Sequence, residues 1–224
     1  MLNLDLFTIV VRIIVLFVTI PVHEAAHAWT ADRLGDPTAR YRGRLTLNPM
    51  AHFDPMGAVA MVVTGIGWAK PVPINPLNFD DRKKGMAISA AAGPISNLLL
   101  ATVSLIISKI LLFIGFATGF GTVMSTLYTI FSTMTTINVS LAIFNLMPFP
   151  PFDGSRIFNY FLSDKWYFKI MEHEQQIFTV VFLLLVLGVF DAPLSFLSGA
   201  VLRILNKLTF FVEMFLNVIL NIIL

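Results

Sequence analysis

Three ionisable side chains lie close together near the end of the first apolar stretch, in the run His23-Glu24-Ala25-Ala26-His27. Two histidines four residues apart on a helix point the same way, so both imidazoles can bind one metal ion. A glutamate between them is placed to act as a base on a water that the metal activates. A chance occurrence of this run would leave three ionisable groups in lipid without compensation, which is rare. The run therefore predicts a metal site.

A third metal ligand has to come from elsewhere in the chain, and Asp153 is the best candidate. There are no cysteines, so a metal must use His, Asp or Glu. Prolines 148, 150 and 151 end regular helix, so the chain can turn inward, and Gly154 relaxes the backbone beside the carboxylate. Two histidines and a carboxylate suit Zn²⁺, with the fourth position left to water. An ordinary capping Asp in a Pro-Gly turn remains an alternative.

The composition is that of a membrane protein. Of the 224 residues, 57% are hydrophobic and 12% are charged, against about 25% charged in an average soluble domain. The mean hydropathy is +0.82. The net charge of +2 gives no support for a nucleic-acid partner. We expect one integral-membrane domain over residues 1–224, with a core at about 4–160 and C-terminal spans at about 174–224, and no cleaved signal peptide.

The apolar segments predict an all-α polytopic protein with five to six transmembrane helices. Residues 57–68 are apolar but too few to span, so a re-entrant segment is expected there. Residues 40–47 partly alternate and could form a strand. A small re-entrant or β-hairpin insertion would thus lie between the first two full spans. The spans are expected at about 4–31, 85–116, 122–147 and 177–190, followed by a tail that is one more span or an interfacial helix and a span.

The basic residues predict how the chain is oriented. Segments 32–85 and 148–173 hold most of the Lys and Arg, whereas the connections near 117–121 and 191–195 hold none. By the positive-inside rule the basic segments are cytoplasmic. The paired histidines, Asn97 and Asp153 then all fall toward the cytoplasmic half of the membrane. We therefore expect a multi-pass protein of the cell membrane with its active site toward the cytoplasm.

Three motifs together resemble those of the site-2 proteases, which are intramembrane zinc metalloproteases. They are His23-Glu24-x-x-His27, the run Gly93-Pro94-Ile95-Ser96-Asn97, and the ten residues from Asn145 to Gly154. The resemblance covers roughly residues 22–156 and is closest to compact prokaryotic members without a PDZ domain. It implies a zinc metalloendopeptidase that cuts membrane proteins in or near a transmembrane segment, and a role in regulated intramembrane proteolysis.

The resemblance also implies roles for single residues. His23, His27 and Asp153 would bind one Zn²⁺ per chain, Glu24 would be the catalytic base, and Asn97 would lie near the reacting carbonyl. The partners would be the lipid bilayer and a membrane-protein substrate. Rival functions are a metal transporter, which would need further ligands on the later spans, and an inactive relative, which would have lost a catalytic residue.

Two smaller features are open to more than one interpretation. The segment from Pro71 to Pro76 holds three prolines, which forbid a helix. It is either an edge with which an extended substrate could pair or a plain re-entrant turn. His52 is expected in a surface loop, although it could be a further polar group near the site. Asn138 and Asn145 are expected to form hydrogen bonds between helices, although Asn145 could instead orient Asp153.

Overall fold

The structure is a computed structural model that describes residues 6–57 and 68–223, and every regular element within these ranges is helical. The predicted all-α class is therefore confirmed. In chain order the helices with defined bounds are α1 (Leu6–Arg33), α2 (Thr38–Tyr41), α3 (Pro49–His52), a 3₁₀ turn (Pro76–Asn78), α4 (Arg82–Thr118), α5 (Thr122–Asn145), α6 (Asp153–Tyr160), α7 (Asp164–Glu172), α8 (Glu174–Val186), α9 (Asp191–Leu208) and α10 (Phe210–Ile223).

Helix α4 is the central element, and α1, α5 and α6 all pack against it. Its 37 residues extend over about 55 Å at 1.5 Å per residue. The side of α4 that faces the other helices is built mainly from small residues at four-residue spacing, which lets helix backbones approach closely. These buried positions are Ser89, Gly93, Asn97, Ala101 and Leu105. Helix α4 therefore packs closely against its neighbours along this side.

Helix α1 carries the His-Glu-x-x-His run on the side that faces α4. Val11, Val15, Thr19 and His27 are buried in steps of four or eight residues, so they lie on one side of the helix. Large apolar side chains such as Phe17 are exposed on the other side, as expected of a surface in contact with lipid. The periodicity of α1 therefore turns the metal-site residues away from lipid.

Four helical segments are long and apolar enough to cross a membrane, as judged by length and composition over the described residues. They are residues 6–33, 82–118, 122–145 and 191–218. The span expected at 177–190 corresponds to α8, which has only 13 residues and a length of about 20 Å. The expected number of five to six spans is therefore not confirmed. The tail forms α9 and α10, which meet at Thr209.

The loop after α1 differs from expectation. The strand expected over residues 40–47 is wrong, because residues 38–41 form the short helix α2. Gly43 then adopts a left-handed φ of 64°, and the Arg44 N–H donates to the Ala39 carbonyl at 2.8 Å. This turn uses the backbone groups that a strand would need. Most of the insertion expected at 57–68 lies outside the described residues.

A buried lysine connects the C-terminal helices to α4. The Lys109 ammonium is 2.8 Å from the Glu213 carboxylate and donates to the Thr209 hydroxyl, also at 2.8 Å. Ionisable groups in membrane helices are expensive unless they are paired. The pairing therefore explains how α4 can carry this lysine.

An amide–hydroxyl pair connects α1 to α5. Asn138 is fully buried, and its Nδ2 donates to Thr19 Oγ1 at 2.9 Å and to the Met134 carbonyl at 2.8 Å. The interhelical hydrogen bond predicted for Asn138 is therefore confirmed, whereas the one for Asn145 stays a prediction.

Replacing Asn138 with alanine should lower the free energy of unfolding by about 1 kcal/mol, because one buried interhelical hydrogen bond is lost. Unfolding of the purified protein in detergent measures the change. Thr136→Ala is the control, since Thr136 is exposed on the same helix. An equal effect of both substitutions would contradict the assigned role of Asn138.

Candidate metal centre

The structure brings the two histidines of α1 and Asp153 together, as the sequence analysis expected. Asp153 Oδ2 lies 3.3 Å from Nε2 of His23 and 3.3 Å from Nε2 of His27. The two Nε2 atoms are 3.0 Å apart. These three residues are the group that could hold a metal ion among the described residues. Their role as ligands remains a prediction, since geometry alone does not assign it.

The hydrogen bonding of His27 fixes which ring nitrogen can bind a metal. Nδ1 is 2.7 Å from the carbonyl oxygen of Ser89, and a carbonyl only accepts, so Nδ1 carries the proton. In the neutral ring, Nε2 then presents a lone pair toward His23 and Asp153. Histidine ligands commonly donate their second N–H to a carbonyl in this way.

The spacing of the three ligand atoms fits a small divalent cation. Three electron-rich atoms this close repel one another unless positive charge lies between them. The edge of a tetrahedron with bonds of 2.0–2.1 Å is about 3.3 Å, which matches the two Asp153 distances. Asp153 Oδ2 is buried and has no hydrogen-bond partner within the described part of the chain. The donor set therefore fits zinc.

Gly93 on α4 provides the space into which the two imidazoles fit. A Cβ at this position would lie 2.3 Å from His27 Nε2 and 2.5 Å from His23 Cε1. No side chain can occupy that space while the rings stay in place. The small residue at this position therefore lets α4 pass directly behind the two imidazoles.

Asp153 reaches the histidines because the chain reverses between α5 and α6. The Phe152 ring, which precedes the carboxylate, packs against Phe144 with ring centroids 4.5 Å apart. A Cβ on Gly154 would lie 2.3 Å from the Leu146 carbonyl oxygen. Gly154 is not among the glycines with positive φ, so it supplies space for this turn rather than the backbone freedom that was expected.

Asn97 lies one helical turn beyond Gly93, on the same face of α4. It is 1% exposed, and neither its Oδ1 nor its Nδ2 has a hydrogen-bond partner within the described part of the chain. A buried amide without a partner is costly, so such groups ask for an explanation. Asn97 is therefore a candidate to form hydrogen bonds with a bound ligand.

Glu24 is half-buried, and one of its oxygens is already bound. The N–H of Val72 donates to Glu24 Oε2 at 2.9 Å. Val72 lies in the extended segment that the three prolines predicted. Asn75 in the same segment donates its N–H to Asp36 Oδ2 at 2.7 Å. Pairing of an extended substrate with these two amides would therefore require both bonds to open.

His52 is not a surface residue, so that expectation is wrong. Its side chain is 1% exposed, and Nε2 donates to the Thr46 carbonyl at 2.9 Å. Arg44 is buried beside it, with Nη2 3.5 Å from His52 Nδ1 and 2.6 Å from the Lys70 carbonyl oxygen. The sequence did contain a sign that His52 is not in an open loop. His52 follows the Asn48-Pro49 helix start, within the part of the chain that resembles the site-2 proteases.

Asp36 is a buried carboxylate outside the candidate spans. It accepts hydrogen bonds from Thr38 in its own loop and from Asn75 and Asn78. Burial raises the pKa of Asp36, but hydrogen bonds from the Thr38 hydroxyl, the Asn78 amide and the Asn75 N–H outweigh burial and hold the pKa below the ordinary value of an aspartate. The Asn78 Nδ2 donates to Oδ1 at 2.7 Å. The loop after α1 is thereby joined to residues 75–78.

Together the fold and the site define a class of protein: an all-helical membrane protein with a buried cluster of two histidines and one carboxylate. A family model described as peptidase family M50 matches residues 114–189. The chain is 39% identical over 151 residues to "Putative zinc metalloprotease YwhC" of Bacillus subtilis. The aligned region covers 65% of this chain and 66% of that protein. The chain belongs to peptidase family M50, the site-2 proteases, as its motifs predicted.

More distant relatives are named similarly. "Putative zinc metalloprotease Rip2" of Mycolicibacterium smegmatis is 28% identical over 172 residues, or 74% of this chain and 62% of that protein. Rip2 of Mycobacterium tuberculosis is 28% identical over 142 residues, or 61% of this chain and 51% of that protein. The matches thus span between half and two thirds of the relatives' lengths. No solved structure matches the chain.

Replacing Gly93 with alanine should reduce the amount of bound zinc severalfold, because the added Cβ would displace the His23 and His27 rings. Metal content of the purified protein, measured by mass spectrometry, gives the result. Gly199→Ala is the matched control, since no atom lies within 4 Å of a Cβ built at Gly199. Full zinc content in the Gly93 variant would show that the rings do not depend on this space.

Acid should destabilise the protein partly through Asp36. Its folded pKa lies below the unfolded value of about 3.9, so it adds stability above that pH and loses this contribution as the pH falls through the folded pKa. Asp36→Asn should unfold more readily at pH 7 and depend less on pH below about 4. Thermal midpoints as a function of pH test this, with Asp80→Asn as the control, because Asp80 is exposed. If the thermal midpoints of Asp36→Asn and the wild type change with pH in parallel, Asp36 does not contribute to the acid sensitivity.

Proposed function

We propose that the protein is a zinc metalloprotease that hydrolyses peptide bonds in or near the transmembrane segments of membrane proteins. The observation that carries the proposal is the approach of Asp153 Oδ2 to within 3.3 Å of both histidine Nε2 atoms. This arrangement joins residues some 126–130 positions apart in the sequence, as the numbering shows. Membership of peptidase family M50 supports the same reaction.

His23, His27 and Asp153 would hold the zinc ion, and the Ser89 carbonyl would keep the His27 ring in the tautomer that binds it. When bound, zinc would act as a Lewis acid that lowers the pKa of water to about 7 and polarises a carbonyl. Two histidines and a carboxylate form a set that leaves one position open for this chemistry.

Glu24 and Asn97 have distinct roles in the proposed reaction. Glu24 accepts a proton from the attacking water and later donates it to the nitrogen of the leaving amine. The Asn97 Nδ2, which has no partner within the described part of the chain, donates a hydrogen bond to the carbonyl oxygen of the substrate as that oxygen becomes negative. This use explains why a buried amide is left without a partner.

The membrane setting adds two requirements. Lipid holds no water, so a polar route to the site must supply it, and the basic segments favour the cytoplasm as its source. A substrate helix must also unwind locally, because its own hydrogen bonds occupy the carbonyl to be attacked. We therefore propose single-span membrane proteins as substrates, cleaved toward the cytoplasmic half of the cell membrane, in the manner of regulated intramembrane proteolysis.

Replacing Glu24 with glutamine should leave zinc content unchanged and reduce cleavage of a model single-span substrate at least 100-fold, because glutamine cannot accept the proton. Reconstituted protein and a labelled substrate, followed by gel and mass spectrometry, measure both quantities.

His27→Ala is the second variant, and it should lose zinc and cleavage together. If the wild type binds zinc but moves it across vesicle membranes without cleaving any substrate, the protein is a metal transporter and the proposal fails. Continued cleavage by the Glu24 variant would refute the role of Glu24.

A further inference from the structure

Residues 70–75 form an extended strap that is fastened at both ends to the loop following α1. At the first end, the Lys70 N–H donates to the His52 carbonyl at 2.9 Å, and the Lys70 carbonyl accepts from Arg44 at 2.6 Å. At the other end, the Asn75 N–H donates to Asp36 Oδ2 at 2.7 Å. The position of the strap is thus set by the His52 carbonyl and by the buried side chains of Arg44 and Asp36, all of which belong to the loop after α1.

The middle of the strap contacts the proposed catalytic base. Pro71 and Pro73 have no N–H, so Val72 carries the isolated donor between them. That N–H donates to Glu24 Oε2 at 2.9 Å. Glutamate has three side-chain torsions, and this bond fixes the carboxylate at one oxygen while it leaves Oε1 for the reacting water.

We propose that the strap is a positioning element for Glu24, with the Val72 N–H orienting the carboxylate and Arg44, His52 and Asp36 acting through the strap. The proposal rests on the function proposed above. Catalytic groups lose about 100-fold in rate when they are misplaced by 1 Å, so a group that holds Glu24 in place affects turnover. Zinc binding does not depend on the strap, because none of the three ligand residues is bonded to it among the contacts described.

The opposite arrangement would be a strap that blocks Glu24 until a substrate displaces it. The two arrangements predict effects of opposite sign when the Val72 bond is removed. A positioning strap makes turnover slower without its bond, whereas a blocking strap makes turnover faster. The structure favours positioning, because both ends of the strap are held by buried groups rather than by exposed ones.

The direct test compares Val72→Pro with Val72→Ala. Both variants change the side chain, but only proline removes the N–H that reaches Glu24. Relative to Val72→Ala, the proline variant should show kcat lowered about tenfold, as for loss of one hydrogen bond to a charged group, with KM and zinc content unchanged. Equal kcat in the two variants, or a higher kcat with proline, would overturn the proposal.

A second test acts on the first end of the strap, at Lys70. Arg44→Ala removes the bond to the Lys70 carbonyl and should also lower kcat while zinc content stays the same. Arg42→Ala is the control, because Arg42 is exposed on the same loop. If Arg44→Ala lowers zinc content and thermal stability without a separate loss of kcat, then Arg44 only stabilises the fold and the proposal is wrong.

Hydrogen exchange tests the contact without relying on activity. Pro71 and Pro73 leave only four backbone N–H groups in residues 70–75, so a single amide can be followed by mass spectrometry. Glu24→Ala should speed exchange of the Val72 amide, and Asp36→Ala should speed that of Asn75. Unchanged exchange in Glu24→Ala would overturn the contact. If the variants exchange as expected but the wild type cleaves nothing, the proposed function fails while the contact stands.

Discussion

The structure depends on the convergence of two imidazoles and one carboxylate in a place largely closed to water. Burial of such groups is unfavourable unless a cation and well-placed hydrogen bonds compensate them. The surrounding elements are arranged to meet this demand. The small-residue side of α4 lets that helix pass behind the rings, the Ser89 carbonyl fixes one tautomer, and the turn before α6 delivers Asp153. Each of these features is explained by the need to hold three ligand atoms about 3 Å apart.

Much of this site could be predicted from the sequence, because its main elements obey local rules. The spacing of His23 and His27 places both on one side of any helix, and the long apolar runs predict that helix in a membrane. Asp153 could be proposed because prolines and a glycine surround it and because there is no cysteine to compete. Gly93 and Asn97 were recognisable only as part of a motif, since neither has a side chain that indicates its role alone.

Other features depend on contacts between distant segments, which periodicity does not encode. The burial of His52 results from Arg44 and the backbone of Lys70, eight and eighteen positions away. The Val72–Glu24 bond joins residues 48 apart through a backbone group that every non-proline residue carries. The strand expected over residues 40–47 failed because the left-handed Gly43 closes a turn there. The span expected at 177–190 is not confirmed, because α8 ends at Val186, before Gly188 with its φ of 73°.

The prolines of the strap have a consequence for the behaviour of many molecules in one membrane. An extended backbone with free donors is a template on which a second copy could add a strand, and such edges promote aggregation. In the strap Pro71 and Pro73 lack an N–H. The N–H groups of Lys70, Val72 and Asn75 already donate hydrogen bonds within the chain. A neighbouring copy therefore finds few groups to bind. The segment can stay extended at a crowded bilayer surface without drawing the proteins into a shared sheet.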